Sequence, residues 1–121
     1  MAKTILIADD SPIIREMLCR LFEVEEDYDI CAEATNGQEA IDLALKRRPD
    51  LIILDFVMPV LNGLEAAREL KKIMPDVPII VLTQHANLGT AMFRTDSTID
   101  RIVSKSDAFE LMGQVRSLVP A

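Results

Sequence analysis

The sequence predicts an open parallel α/β sheet with helices on both faces, and three observations predict it. Short continuous apolar runs recur along the chain, as expected of strands buried on both faces. Segments with helical apolar spacing lie between those runs. The two kinds of segment alternate, and the right-handed crossover rule turns such an alternation into one doubly wound sheet rather than a sandwich.

The clearest strands are residues 4–8, 51–54 and 79–82; residues 28–34 and 99–103 carry weaker strand patterns, completing a set of five. The first helix carries an apolar stripe of Ile13, Ile14, Met17, Leu18, Leu21 and Phe22, and Ser11 followed by Pro12 supplies an N-cap with proline in the first turn. The second presents Ala40, Ile41, Ala44 and Leu45, and the third Ala66, Ala67, Leu70, Ile73 and Met74. Asn36 with Glu39 and Asn62 with Glu65 have the spacing of capping boxes at their starts. A fourth helix is expected near residues 88–93, weakened by Gly89 and followed by the loop-like Thr95-Asp96-Ser97-Thr98. The fifth carries Ala108, Leu111, Met112, Val115 and Val119, with Ser106 expected as its N-cap and Asp107 in its first turn.

At 121 residues, half of them hydrophobic, the chain is expected to form one domain spanning 1–121. A domain of that size buries about two-thirds of its unfolded surface. A net charge of −7 leaves no basic stripe for a phosphate backbone, so this domain is not expected to touch nucleic acid. Cys19 and Cys31 lack metal-ligand spacing and are read as free thiols of a reducing compartment. No apolar run approaches the ~18 residues of a membrane span, and the first residues lack the basic region followed by an apolar stretch that marks a signal sequence. A cytoplasmic protein without membrane contact is expected.

Asp9 and Asp10 end the first strand, Asp55 the third, Thr83 the fourth and Lys105 the fifth. In open α/β sheets a ligand site lies beyond the carboxyl ends of the strands, where strand order reverses. These five side chains are therefore expected to converge. Three close carboxylates need a counter-charge, and a hard divalent cation held by oxygens points to Mg²⁺. A carboxylate beside Mg²⁺ is suited to attack a phosphoryl group, while an ammonium and a hydroxyl take the remaining oxygens. Asp55, alone at the centre of the strand ends, is the expected acceptor. Asp9 and Asp10 are then metal ligands.

With these residues in view, the chain resembles the response regulator receiver domains of bacterial two-component systems over nearly its whole length. The resemblance rests on Asp9-Asp10 after an apolar strand, the stretch from Asp55 through Met58-Pro59 to Asn62-Gly63, Thr83 ending a strand, and Lys105 beyond it. It implies the flavodoxin-like, CheY-like strand order 2-1-3-4-5. It implies that Asp55 takes phosphate from a phosphohistidine of a sensor histidine kinase, and that Asp10 and Asp55 bind Mg²⁺ directly while Asp9 acts through water. Val57 would add its backbone carbonyl, and Thr83 and Lys105 would contact the acyl phosphate. It also implies a partner face on the fourth helix, fifth strand and fifth helix, used in some members for homodimers. The wording of Ala8-Asp9-Asp10-Ser11-Pro12, Glu33-Ala34-Thr35-Asn36-Gly37 and Lys105-Ser106-Asp107 is most similar to NarL/FixJ-type regulators, whose receivers precede a helix-turn-helix domain. The function implied is a phosphoacceptor switch that controls transcription through such an output domain; none is expected within residues 1–121.

Several positions depart from the family. Ile102 stands where receivers usually carry an aromatic switch residue, and Thr98 and Arg101 stand where glycines are common, with a cost of about 1 kcal/mol if either backbone must be left-handed. Gln84 occupies a position usually small and is expected to slow loss of the phosphoryl group. Ser106 replaces a frequent proline.

Blander readings accompany each signal. Asp9-Asp10 taken alone would be a helix cap, Met58-Pro59 a turn, and His85 an exposed or capping residue. Met17, Met74, Met92 and Met112 are read as packing residues. A haloacid-dehalogenase-type phosphatase needs a second Asp two residues after the nucleophile, where this chain has Val57. A flavin module needs a phosphate loop after the first strand, which is missing. The alternative carried forward is a pseudo-receiver, an interaction module that works without phosphorylation. Turnover of an external substrate is not expected, since the phosphoryl group goes to the protein's own side chain.

Overall fold

The protein is described by a computed structural model covering residues 2–84 and 98–121. Its elements run β1 (Lys3–Ala8), α1 (Pro12–Glu23), β2 (Tyr28–Ala34), α2 (Gly37–Arg47), β3 (Leu51–Asp55), α3 (Gly63–Ile73), β4 (Ile79–Thr83), β5 (Arg101–Ser104) and α4 (Ala108–Leu118). The helix expected at residues 88–93, together with His85 and Met92, lies outside the described residues.

All strand pairs are parallel and the sheet order is β2-β1-β3-β4-β5, the predicted doubly wound arrangement. Period-two alternation divides the strand residues between two cores. Leu6, Ile52, Leu54 and Val81 pack with Ala40, Ala44, Ala67 and Leu70 of α2 and α3. Their neighbours Ile5, Ile7, Ile53 and Ile80 pack with Leu18, Phe22, Leu111 and Val115 of α1 and α4 on the other face. Burial on both faces explains why β1, β3 and β4 read as unbroken apolar runs.

The helix starts follow the local chemistry. Ser11 caps α1 through the Ile14 N–H, with Pro12 in the first turn. Asn62 and Glu65 form a full reciprocal capping box on α3. At α2 only half of the expected box forms: Asn36 caps the Glu39 N–H, but the Glu39 carboxylate accepts from Thr35 N–H instead.

Other expectations need correction. The cap of α4 is Asp107, not Ser106, because Asp107 Oδ1 accepts the Glu110 N–H at 2.9 Å while Ser106 is engaged with the Ser104 hydroxyl. Strand β5 starts at Arg101, two residues later than expected. Just before it the Asp100 N–H still reaches the Ile79 carbonyl at 2.9 Å, but the Ile79 N–H is taken by the Asp100 carboxylate at 2.8 Å, and the same oxygen accepts from the Lys71 ammonium at 3.0 Å. Ile13 and Leu45 lie at the exposed margins of their apolar stripes, Met17 and Ile73 are also exposed, and Ala108 faces solvent. Met17 is thus not a buried packing residue, whereas Met74 is.

Among the described residues only Arg48 and Val60 are non-glycine residues with positive φ, so Thr98 and Arg101 carry no left-handed strain. No helix of the described residues is long and apolar enough to cross a membrane.

Candidate functional site

The sheet order reverses at β1, since α1 leads from it to β2 on one side and α2 crosses to β3 on the other. A crevice therefore opens beyond the carboxyl ends of β1 and β3. The ladder between them ends at Ala8 paired with Leu54, so the next residues, Asp9 and Asp55, are set side by side at its floor. One carboxylate oxygen from each of Asp9, Asp10 and Asp55 can be chosen so that all lie within 4.8 Å of one another. Asp9 and Asp55 are buried and Asp10 is exposed at the rim.

Lys105 enters from the far side. Its backbone N–H donates to the Thr83 carbonyl at 2.9 Å, which ties the end of β5 to the end of β4. From there its ammonium reaches Asp55 Oδ2 at 3.0 Å and Asp9 Oδ2 at 3.3 Å. Thr83, the last residue of β4, is buried beside this loop. Val57 turns its side chain to solvent while its N–H donates to Asp55 Oδ1 at 3.4 Å. All six residues singled out in the sequence lie at the carboxyl ends of the strands or in the loops that leave them.

The loop after Asp55 is tightly built. Phe56 N–H donates to the Leu82 carbonyl, and Gly63 N–H returns to the Phe56 carbonyl. Within it Leu61 N–H bonds the Pro59 carbonyl two residues back, around Val60 at φ 69°. Such a conformation is strained for a β-branched residue. Met58-Pro59 predicts a turn that positions the loop after Asp55, but the left-handed position at Val60 has no signal in the sequence, since valine disfavours it.

Burial pushes the Asp55 carboxyl above its ordinary range and the Asp9 charge adds to this, against the opposing Lys105 hydrogen bond and charge and the Val57 N–H. Burial by itself would lower Lys105, but its bonds and charge attraction to Asp55 and Asp9 outweigh that and raise it. Lys105 is thereby held as a cation.

One ammonium cannot balance three carboxylates. Asp9 Oδ2 is buried and has no hydrogen-bond partner, with the Lys105 ammonium 3.3 Å away as an ion pair. A buried carboxylate oxygen left in that state is costly unless a charge meets it. A small cation with oxygen ligands suits this donor set, and Asp9, Asp10 and Asp55 are the residues that could hold it.

Comparison with known proteins agrees with this geometry. Residues 5–116 match the response regulator receiver domain. The chain is 44% identical over 88 residues to a protein-glutamate methylesterase/protein-glutamine glutaminase of Hahella chejuensis, covering 73% of this chain and 25% of that protein. It is 40% identical over 79 residues to the transcriptional regulatory protein LnrK of Bacillus subtilis, covering 65% and 36%. The chain thus spans about a quarter to a third of these relatives. Among solved structures, a LuxR-family two-component response regulator from Aurantimonas superposes with a TM-score of 0.85 at 29% identity, covering 98% of this chain and 85% of that one. With the strand order, the acidic cluster and the match over nearly its full length, the chain belongs to the response regulator receiver family, homologous to the phosphoacceptor domains of two-component systems.

Proposed function

We propose that this domain is a Mg²⁺-dependent phosphoacceptor switch in which Asp55 takes a phosphoryl group from the phosphohistidine of a sensor histidine kinase. The observation that carries this reading is the pairing of two buried carboxylates, one with an oxygen that no hydrogen bond satisfies, around the Lys105 ammonium at the strand ends. An Asp55 carboxylate oxygen attacks phosphorus, an O–P bond forms, and the P–N bond breaks with its electron pair passing to the donor imidazole. Asp9, Asp10 and Asp55, with the Val57 carbonyl, would hold Mg²⁺, which when bound neutralises charge on the transferring oxygens. Lys105 turns from Asp55 Oδ2 toward the phosphoryl oxygens, keeping a positive charge where negative charge accumulates. The Thr83 hydroxyl bonds a further oxygen and so links the modification to the end of β4.

The domain thus catalyses only its own phosphorylation and dephosphorylation. A donor histidine must reach Asp55 over the rim of the site, and Ile13, Met17 and Phe109 leave exposed apolar surface on α1 and α4 where a kinase can dock. Control of transcription through a helix-turn-helix output domain, cytoplasmic location, and self-association through the face that includes β5 and α4 complete the proposal.

The test is a phosphate-affinity gel after incubation with Mg²⁺ and acetyl phosphate. A shifted band that disappears in Asp55→Asn and with a chelator is the expected result. No shift, under conditions that label an ordinary receiver, would favour a phosphorylation-independent interaction module.

A further inference from the structure

Asp9 is held at three of its four polar atoms. Its N–H donates to the Ala34 carbonyl at 3.0 Å, its Oδ1 accepts the Ser11 N–H at 2.9 Å, and its backbone carbonyl accepts from Arg15 Nη1 at 2.8 Å. Only Oδ2 remains, and it is the buried oxygen without a hydrogen bond. The first two contacts come from the neighbouring strand and from the backbone two residues on, so they depend on the fold itself. The third is a side chain that bends back from the first turn of α1 to the strand end.

Arg15 is itself anchored. Its Nε lies 3.6 Å from Glu33 Oε1 on β2, and its side chain is only 19% exposed. A guanidinium has a planar fork of donors, so one edge can face Glu33 while another bonds the Asp9 carbonyl. The fork spans from the edge strand to the peptide that joins Asp9 to Asp10.

From this geometry we infer that Arg15 is a positioning residue for cation binding: it fixes the Asp9–Asp10 peptide so that the Asp10 carboxylate and, through water, Asp9 Oδ2 are presented to the ion together, with Glu33 as its anchor. The inference rests on the Mg²⁺ reading proposed above. Groups that orient metal ligands from behind commonly change metal affinity by about 10- to 100-fold when removed.

The sign of the effect separates positioning from charge. Arg15 is a cation close to a cation site, so removing it on Coulomb grounds alone would tighten Mg²⁺ binding. If it acts by positioning, removal weakens binding instead.

The experiment is a Mg²⁺ titration of ¹⁵N-labelled protein followed at the Asp9, Asp10 and Asp55 amides, with melting temperatures measured in chelator. Arg15→Ala is expected to raise the Mg²⁺ Kd by about tenfold or more, and Glu33→Gln by a smaller factor. Arg15→Lys keeps the charge but loses the fork and is expected to fall between Arg15→Ala and wild type; it carries the test if Arg15→Ala does not fold. An unchanged or tighter Kd in the variants, even with a lowered melting temperature, assigns Arg15 a structural role only and overturns the inference. Absence of saturable Mg²⁺ binding in the wild type overturns the inference together with the reading on which it rests.

Discussion

Gly63 lies directly against the backbone of Asp55: a methyl group built on its Cα would stand 2.6 Å from the Asp55 carbonyl oxygen and 2.9 Å from Phe56 Cα. The start of α3 and the end of β3 are therefore packed without room for a side chain. Gly63→Ala must displace backbone, and overpacking of this kind costs about 1–3 kcal/mol. The expected outcome is a lower melting temperature and a smaller fraction of protein labelled by acetyl phosphate. Gly113 in α4 is the internal control, since nothing lies within 4 Å of its built Cβ. There alanine should stabilise by about 0.5–1 kcal/mol and leave labelling unchanged.

Arg48 closes α2 in the left-handed region at φ 48° and ψ 62°, with its N–H on the Ala44 carbonyl. Its side chain is exposed and makes no contact that the cap requires. A left-handed non-glycine residue is strained by about 1–2 kcal/mol, partly offset by the greater freedom of glycine in the unfolded chain. Arg48→Gly should raise the urea midpoint by an amount equivalent to about 0.5–1 kcal/mol, with an unchanged slope. A lower midpoint would mean that the guanidinium contributes more than the backbone loses.

Cys19 is pushed up to about 11 by burial, reinforced by the charge and hydrogen bond of Glu33, and Cys31 is also raised, chiefly by burial. For Cys19 at pH 8 that leaves about 0.1% thiolate, the reactive form. Both thiols should therefore react with Ellman's reagent far more slowly in the folded protein than in urea. The linkage has a definite sign. A folded-state value above the unfolded one contributes stability below pH 9 that is lost as pH rises through about 11. A Cys19→Ala variant should show a shallower loss of stability across that window, measured by urea unfolding at a series of pH values.

Gln84 follows Thr83 and is exposed. On the phosphoacceptor reading, its side chain hinders the water that hydrolyses the acyl phosphate. Gln84→Ala should shorten the lifetime of the phosphorylated form by a few-fold, read as the decay of the shifted band after donor removal. An unchanged lifetime would leave Gln84 without a part in phosphate loss.

The chemistry of the site was legible because its residue types stand at strand ends, and strand ends can be read from where apolar runs stop. Asp9, Asp55 and Thr83 each terminate such a run, and Lys105 follows the weaker fifth. Arg15 was not legible as part of the site. In sequence it is a cation on a helix, and its bond to the Asp9 carbonyl exists only because the first turn of α1 folds back over the end of β1.

By itself the sequence determined what is settled within a turn or a strand: the α1 and α3 caps, the period-two division of strand residues between two cores, and the chemical groups offered at each strand end. These depend on interactions among residues a few positions apart, or on a pattern that any buried sheet would impose. Tertiary structure decided the rest. It set the Asp100 carboxylate on the Ile79 N–H, a donor that a longer β5 would have met with its backbone, left Ile13 and Leu45 beyond the reach of the sheet, and forced Arg48 and Val60 into left-handed conformations. It also aimed Lys105 at both buried carboxylates. Each of these follows from which strand ends lie side by side, and that adjacency is set by burial of the whole sheet rather than by any local preference.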